Sequence, residues 1–376
     1  MERQETGLES PGFGFGANIK IHNSRLSGKM CVETEEATLA KFYYGGQAVI
    51  EGVMMRGQRH MAVAVRAPGG KIIVRREALN AAIYKHPIMK MPFLRGFVAL
   101  WDALGLGIKA LMFSADVALQ EESSDSGPPS TTGSDQPVIE NPEPKAQPSL
   151  SGPVAWTSIA IAVGMMVTIF FVLPVLAAGL ITGVAGLSSN IAHNLIEGAI
   201  RLAFFIGYIW AIGRMPDIQR VFGYHGAEHK TINAYEAGVE LTPERVQSFT
   251  LLNPRCGTTF LLIVLLFATL VFVLIGKLPF ALMVLSRIVL VPVIAAIAYE
   301  FIRLMANLYD HALIRAIMAP GLALQKMTTR PPDLSMVEVG IAALTSVLVA
   351  DGVLQEAEAA LRSPQEEAGE PSVALA

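Results

Sequence analysis

The chain has 376 residues, 52% hydrophobic and 16% charged, with a net charge of −3 and a mean hydropathy of +0.46. Soluble domains carry about 25% charged residues, so the composition points to a membrane protein, and the small net charge marks no nucleic-acid partner. Cys31 and Cys256 are its two cysteines, which excludes a disulfide framework and fits a reducing, cytoplasmic face.

Residues 1–40 are polar and Gly-rich without periodicity and are expected to be a disordered tail. Met1 to Lys20 holds no apolar h-region, so no cleavable signal peptide is expected. Residues 41–120 differ. Met61 to Arg66 and Lys71 to Arg76 are β-prone runs around Ala67-Pro68-Gly69-Gly70, the pattern of a β-hairpin. Gly45 to Val53 is expected to add one more strand. Pro92 suits a first helical position, and Phe93 to Leu119 reads as one long helix. Its charges, Arg95, Asp102, Lys109 and Asp116, fall seven residues apart. Two helical turns take about 7.2 residues, so they form one narrow polar stripe on an apolar helix. That is the pattern of a helix lying in the membrane interface. A core helix of the β unit and a spanning helix with a buried stripe are the alternatives.

Residues 121–152, rich in Ser, Pro, Asp and Gly, read as a flexible linker. Four apolar segments follow, each near the roughly 20 residues needed to cross a bilayer: Val154 to Ile181, with Pro174 as a kink site, then Leu195 to Met215, Gly257 to Ile275, and Pro279 to Tyr299. Lys and Arg concentrate before the first span, in the middle loop 214–256 and after the fourth. The positive-inside rule then puts both termini and that loop in the cytoplasm, which requires an even number of spans. The expected fold is mainly α: a polytopic membrane protein of the inner or plasma membrane with about four transmembrane helices (153–330). It would also have a small N-terminal β-containing cytoplasmic unit, the interfacial helix, and a cytoplasmic helix and disordered tail over 331–376.

The middle loop carries the pattern richest in chemistry. Tyr224 to Ala237 reads as a helix ending at Gly238, and Thr242-Pro243-Glu244 as the cap and first turn of another. His225 and His229 are four apart, so both imidazoles share a face and can hold one Zn²⁺ or another divalent metal. Glu228 lies beside them as a candidate general base toward water. The order H-x-x-E-H is that of inverted zincins. A capped, solvated helix whose histidines bind nothing is the bland alternative, and Gly226 weakens the helix by roughly 1 kcal/mol. A zinc site needs at least three protein ligands. Glu236 lies eleven residues from His225, about 16 Å along the axis, and cannot be the third. Cys256 and Glu300 are the candidates. Glu300 ranks slightly higher, because inverted zincins complete their site with a downstream Glu. Within the spans, Glu197 and Arg201 can pair at i,i+4. Arg287 is expected at a similar depth, making either an anion-contact cluster or interhelical glue.

Tyr44 to Gly57, the His225 to Glu236 stretch and Asn253-Pro254-Arg255-Cys256-Gly257-Thr258-Thr259 resemble the YqhQ-like family of bacterial membrane proteins of unknown function, sometimes described as predicted metal-dependent enzymes. The resemblance runs from about Phe42 to Leu348. It implies that Glu51 to Arg56 and Arg255-Cys256 matter. These residues can converge on the His cluster as a cap, or Glu51 can simply pair with a nearby Arg. The expectation is a membrane-bound, metal-dependent hydrolase-like protein. The alternatives are a non-enzymatic transporter or lipid-handling protein, and an assembly factor that docks a protein partner through its N-terminal unit.

Overall fold

The computed structural model of the protein describes residues 42–79, 91–120, 138–139, 153–187, 189–276 and 278–354. The expected disordered tails and most of the expected linker lie outside these residues.

The N-terminal unit is built on a sheet. Strands β1 (Gly45–Val49), β2 (Gly52–Arg56), β3 (His60–Arg66) and β4 (Ile72–Ala78) follow one another in order, each antiparallel to the next. A two-residue strand β5 (Val138–Ile139), inside the expected linker, pairs parallel to β4. The predicted β3–β4 hairpin is present, with Gly70 at φ +86° in its turn. The segment expected to form one strand instead folds into two. The chain reverses at Ile50-Glu51, bringing Val49 opposite Gly52, and Glu51 takes the left-handed conformation at φ 51°, which is unfavourable without a glycine. The Glu51 carboxylate holds it there: Arg220 donates to both oxygens (2.5 and 2.6 Å), and the Tyr224 hydroxyl donates at 3.3 Å.

Period-two alternation gives the sheet two apolar faces. Met61, Val63 and Val65 face one side, where helix α1 (Leu94–Gln120) buries Leu106, Ala110 and Val117. Ala62, Ala64, Val53 and Met55 face the other, against helices α5 (Pro216–Glu236) and α10 (Leu334–Ala350). The result is a three-layer α/β/α unit. The expected helix over 93–119 is present; it covers one face of the sheet, also packs on the helix over 280–307, and keeps an apolar outer face. Its stripe is met by ion pairs: Arg56 donates to Asp102 at 3.0 Å, the exposed Lys109 pairs with Glu77 at 2.5 Å, and Arg95 pairs with Glu300. Trp101, Leu104, Ile108 and Leu111 are left exposed.

The protein is mainly α and polytopic. Among the described residues, five helical segments are long and apolar enough to cross a membrane. Four are the predicted spans: α2 (Pro153–Val167) continuing into α3 (Leu173–Val184), then α4 (Asn190–Ile212), α7 (Gly257–Ile275) and α8 (Phe280–Asn307). The fifth is α1. The disturbance expected at Pro174 takes the form of a π-turn, Thr168–Val172, between α2 and α3. Proline has no N–H to give the carbonyl four residues back, here Phe170, and Arg201 Nε donates to that oxygen instead at 2.9 Å. Between α5 and α7, α6 (Pro243–Gln247) starts where Thr242-Pro243 marked it. Helix α9 (Ala312–Thr328), not anticipated from the sequence, packs on α7. Its polar residues and internal Pro320 hide an amphipathic pattern.

Candidate metal centre

Helix α5 has too few apolar residues to be a conventional core helix, yet much of it is buried because it is wedged between β1, α10 and the loop leading to α7. Gly226 explains how the wedge closes. A Cβ there would lie 2.2 Å from the Arg330 carbonyl oxygen, so only glycine lets the segment after α9 cross the helix. Arg330 N–H donates to Phe222 O at 2.9 Å at this crossing. The loop is tied to α5 by Lys230, which donates to the Gln247 and Phe249 carbonyls, and by Asn233, which donates to Thr250 and Leu252. Burial pulls the Lys230 ammonium below its ordinary pKa.

These anchors place two carbonyls against the two imidazoles. His225 Nδ1 lies 2.8 Å from Thr328 O, and His229 Nδ1 lies 2.5 Å from Leu251 O. A carbonyl only accepts, so each Nδ1 carries the hydrogen and each Nε2 keeps its lone pair. The rings sit 4.4 Å apart. Cys256, at the start of α7, brings Sγ to 3.3 Å from His225 Nε2. One ligand atom each from His225, His229 and Cys256 lies within 4.8 Å of the others. Tetrahedral zinc bonds of about 2.0–2.3 Å place ligand atoms roughly 3.3–3.8 Å apart, so closing the triangle by about 1–1.5 Å accommodates the ion. Two imidazoles and a thiolate form a donor set suited to zinc.

Glu228 is buried beside the triangle, its Oε2 3.5 Å from His229 Nε2. Gly46 of β1 lies directly over it: the Gly46 N–H donates to the carboxylate, and a Cβ on Gly46 would meet Glu228 Cγ at 2.7 Å. Loss of water pushes the carboxyl up to about 7, against the opposing pull of His225 and the Gly46 N–H.

The other sequence candidates are placed elsewhere. Glu300 does not join the triangle, because Arg95 grips both of its oxygens; of the two candidates, Cys256 is the one beside the histidines. Arg255 pairs with Glu236 and stacks 4.1 Å over the Tyr43 ring. Glu51 and Arg56 are taken by Arg220 and Asp102. The Asn253 to Thr259 stretch is held by Gln325 of α9. Gln325 accepts from Asn253 N–H at 3.0 Å and donates to Asn253 O at 2.7 Å and Thr259 Oγ1 at 2.8 Å. Sequence reasoning missed Gln325, the two orienting carbonyls and the contact from Gly46. The Gly45-Gly46 pair at the head of a strand was the one available signal for the last.

Inside the bundle, Glu197 joins both arginines as their depths suggested. Arg287 Nη2 donates to both its oxygens at 3.0 Å, and Arg201 pairs with Oε1.

A family model described as "Protein of unknown function (DUF1385)" matches residues 91–350. The chain belongs to this family. It is similar to "Uncharacterized protein YqhQ" of Bacillus subtilis (strain 168), with 34% identity over 310 residues, covering 81% of this chain and 92% of that protein. No solved structure matches. The family match takes in α1 and everything from the first span to α10, and with it the His225–His229–Cys256 triangle. The strand that supplies Gly46 lies before it.

Proposed function

We propose that the protein is a membrane-bound, metal-dependent hydrolase whose ion is held by His225, His229 and Cys256. The observation that carries this reading is the triangle itself: three ligand atoms within 4.8 Å, with both histidines oriented by carbonyls on Nδ1 so that Nε2 is the nitrogen left to act as ligand. Three protein ligands leave a fourth position open, the arrangement of catalytic rather than structural zinc. The metal would supply Lewis acidity. Glu228, in its dry site and close to neutrality, takes the proton from the attacking water and passes it to the leaving group. The Lys and Arg distribution supports a cytoplasmic placement for the site, with both termini on the same side. Its position at the start of α7 suits an amphiphilic ester or amide that arrives along the bilayer.

The test is the metal content of the full-length protein purified in detergent. One equivalent of zinc per chain is expected, lost in His229→Ala and in Cys256→Ala. Wild-type protein that turns over reporter esters or amides without metal would sink the proposal. Zinc retained alongside full turnover in Glu228→Gln would reduce the site to a structural one.

A further inference from the structure

A second buried polar group lies among the spans, independent of the metal centre. Glu197, Arg201 and Arg287 are 1%, 5% and 3% exposed. Two guanidiniums face one carboxylate, which leaves one positive charge in a region of hydrocarbon. Arginine does not shed its proton, so this charge stays. Arg201 is supplied with a partner for its Nε by the Phe170 carbonyl that Pro174 leaves free. Arg287 differs. It stacks 4.0 Å over Phe272 and donates through Nη2 to Glu197, but its Nε is buried without a hydrogen-bond partner.

Arg287 is also the one charged residue in the lining of a 230 Å³ cavity between the α2–α3 segment and α8, walled by Met166, Phe171, Val175, Met283 and Val291 among others. Met283 lies toward the start of α8. Val291 and Pro292 extend the lining about 6–8 Å from Arg287 toward the middle of the span. The lining thus reaches about 6 Å along α8 to either side of Arg287, from Met283 to Val291, and its arm toward the middle of the span follows the direction an acyl chain takes from its headgroup. An uncompensated buried cation calls for an anion, and the apolar walls select one that carries a hydrocarbon chain.

We propose that this cavity binds one acidic membrane lipid, its ionised headgroup on Arg287 and an acyl chain along α8 past Val291. The test is native mass spectrometry of the full-length protein in detergent, incubated with phosphatidylglycerol or phosphatidylcholine of matched chains. One charge-assisted hydrogen bond is worth at least roughly tenfold in affinity, so wild type should retain a single phosphatidylglycerol with about that preference. Inorganic phosphate should not displace it. Val175→Phe fills the cavity without touching the ion cluster and should remove the preference. Equal retention of the two lipids by wild type would overturn the proposal. So would displacement by inorganic phosphate alone, or unchanged selectivity in folded Val175→Phe.

Discussion

The ion cluster of the bundle and the histidine pair at its end are assembled on opposite logics. In the bundle, charges are set against charges: Glu197 takes both arginines, and what remains is a surplus of one. At the end of the bundle, side chains are set against backbone. Each imidazole spends one nitrogen on a carbonyl, and what remains is one nitrogen on each ring, grouped with the Cys256 sulfur within 4.8 Å. A surplus of charge attracts an ion of the opposite sign wherever one can reach it. Grouped nitrogen and sulfur ligands are selective for a metal of a given size and softness. The second arrangement is therefore the better place to look for chemistry.

The comparison breaks most decisively at the ligands. His229→Ala should weaken zinc binding beyond the roughly 10–100-fold typical of outer-shell changes, as read by competition with a chromogenic chelator. Glu228→Gln should keep the metal and lower turnover of amphiphilic ester or amide reporters by about 10²–10⁴-fold. Glu197→Ala strips the counter-charge from two buried guanidiniums and should cost about 3–5 kcal/mol, measured as lost thermal stability in detergent with zinc stoichiometry unchanged in the folded fraction. Gly226→Ala pushes a methyl into the Arg330 carbonyl and should cost about 1–3 kcal/mol, with loosened metal binding as its specific mark. Smallest of all, Glu300→Gln removes a partly exposed pair with Arg95 and should cost no more than about 1 kcal/mol. It should leave zinc content untouched, and loss of the metal there would restore Glu300 as a ligand.

Spans, hairpin and histidine pair were legible because each rests on a local signal: apolar length, turn chemistry, and i,i+4 spacing. What escaped is what depends on long-range closure. Glu51 could not be read as a turn residue, because its left-handed backbone is held by Arg220, 169 residues away. The choice between Cys256 and Glu300 turned on α1, whose Arg95 claims the carboxylate 205 residues away. The seven-residue charge stripe on that helix was read correctly as a stripe, but its direction was not readable. The sheet supplies partners for Asp102 and Lys109 beside the buried Leu106, Ala110 and Val117, partners that lie far away in sequence. Gly226 counted against a helix in isolation, yet it is the residue that lets the helix be crossed.

That crossing has a consequence for the order of events in biosynthesis. The carbonyl that orients His225 belongs to Thr328, 103 residues downstream, and Arg330 closes over Gly226 only after α8 and α9 exist. A ribosome-bound chain that has emerged only as far as His225, Glu228 and His229 holds the residues of the site without its geometry. Competence to retain zinc should arrive late and abruptly, once the last span is inserted and the segment behind it has folded back. Metal retention by truncated translation intermediates would then serve as a clock for completion of the membrane domain.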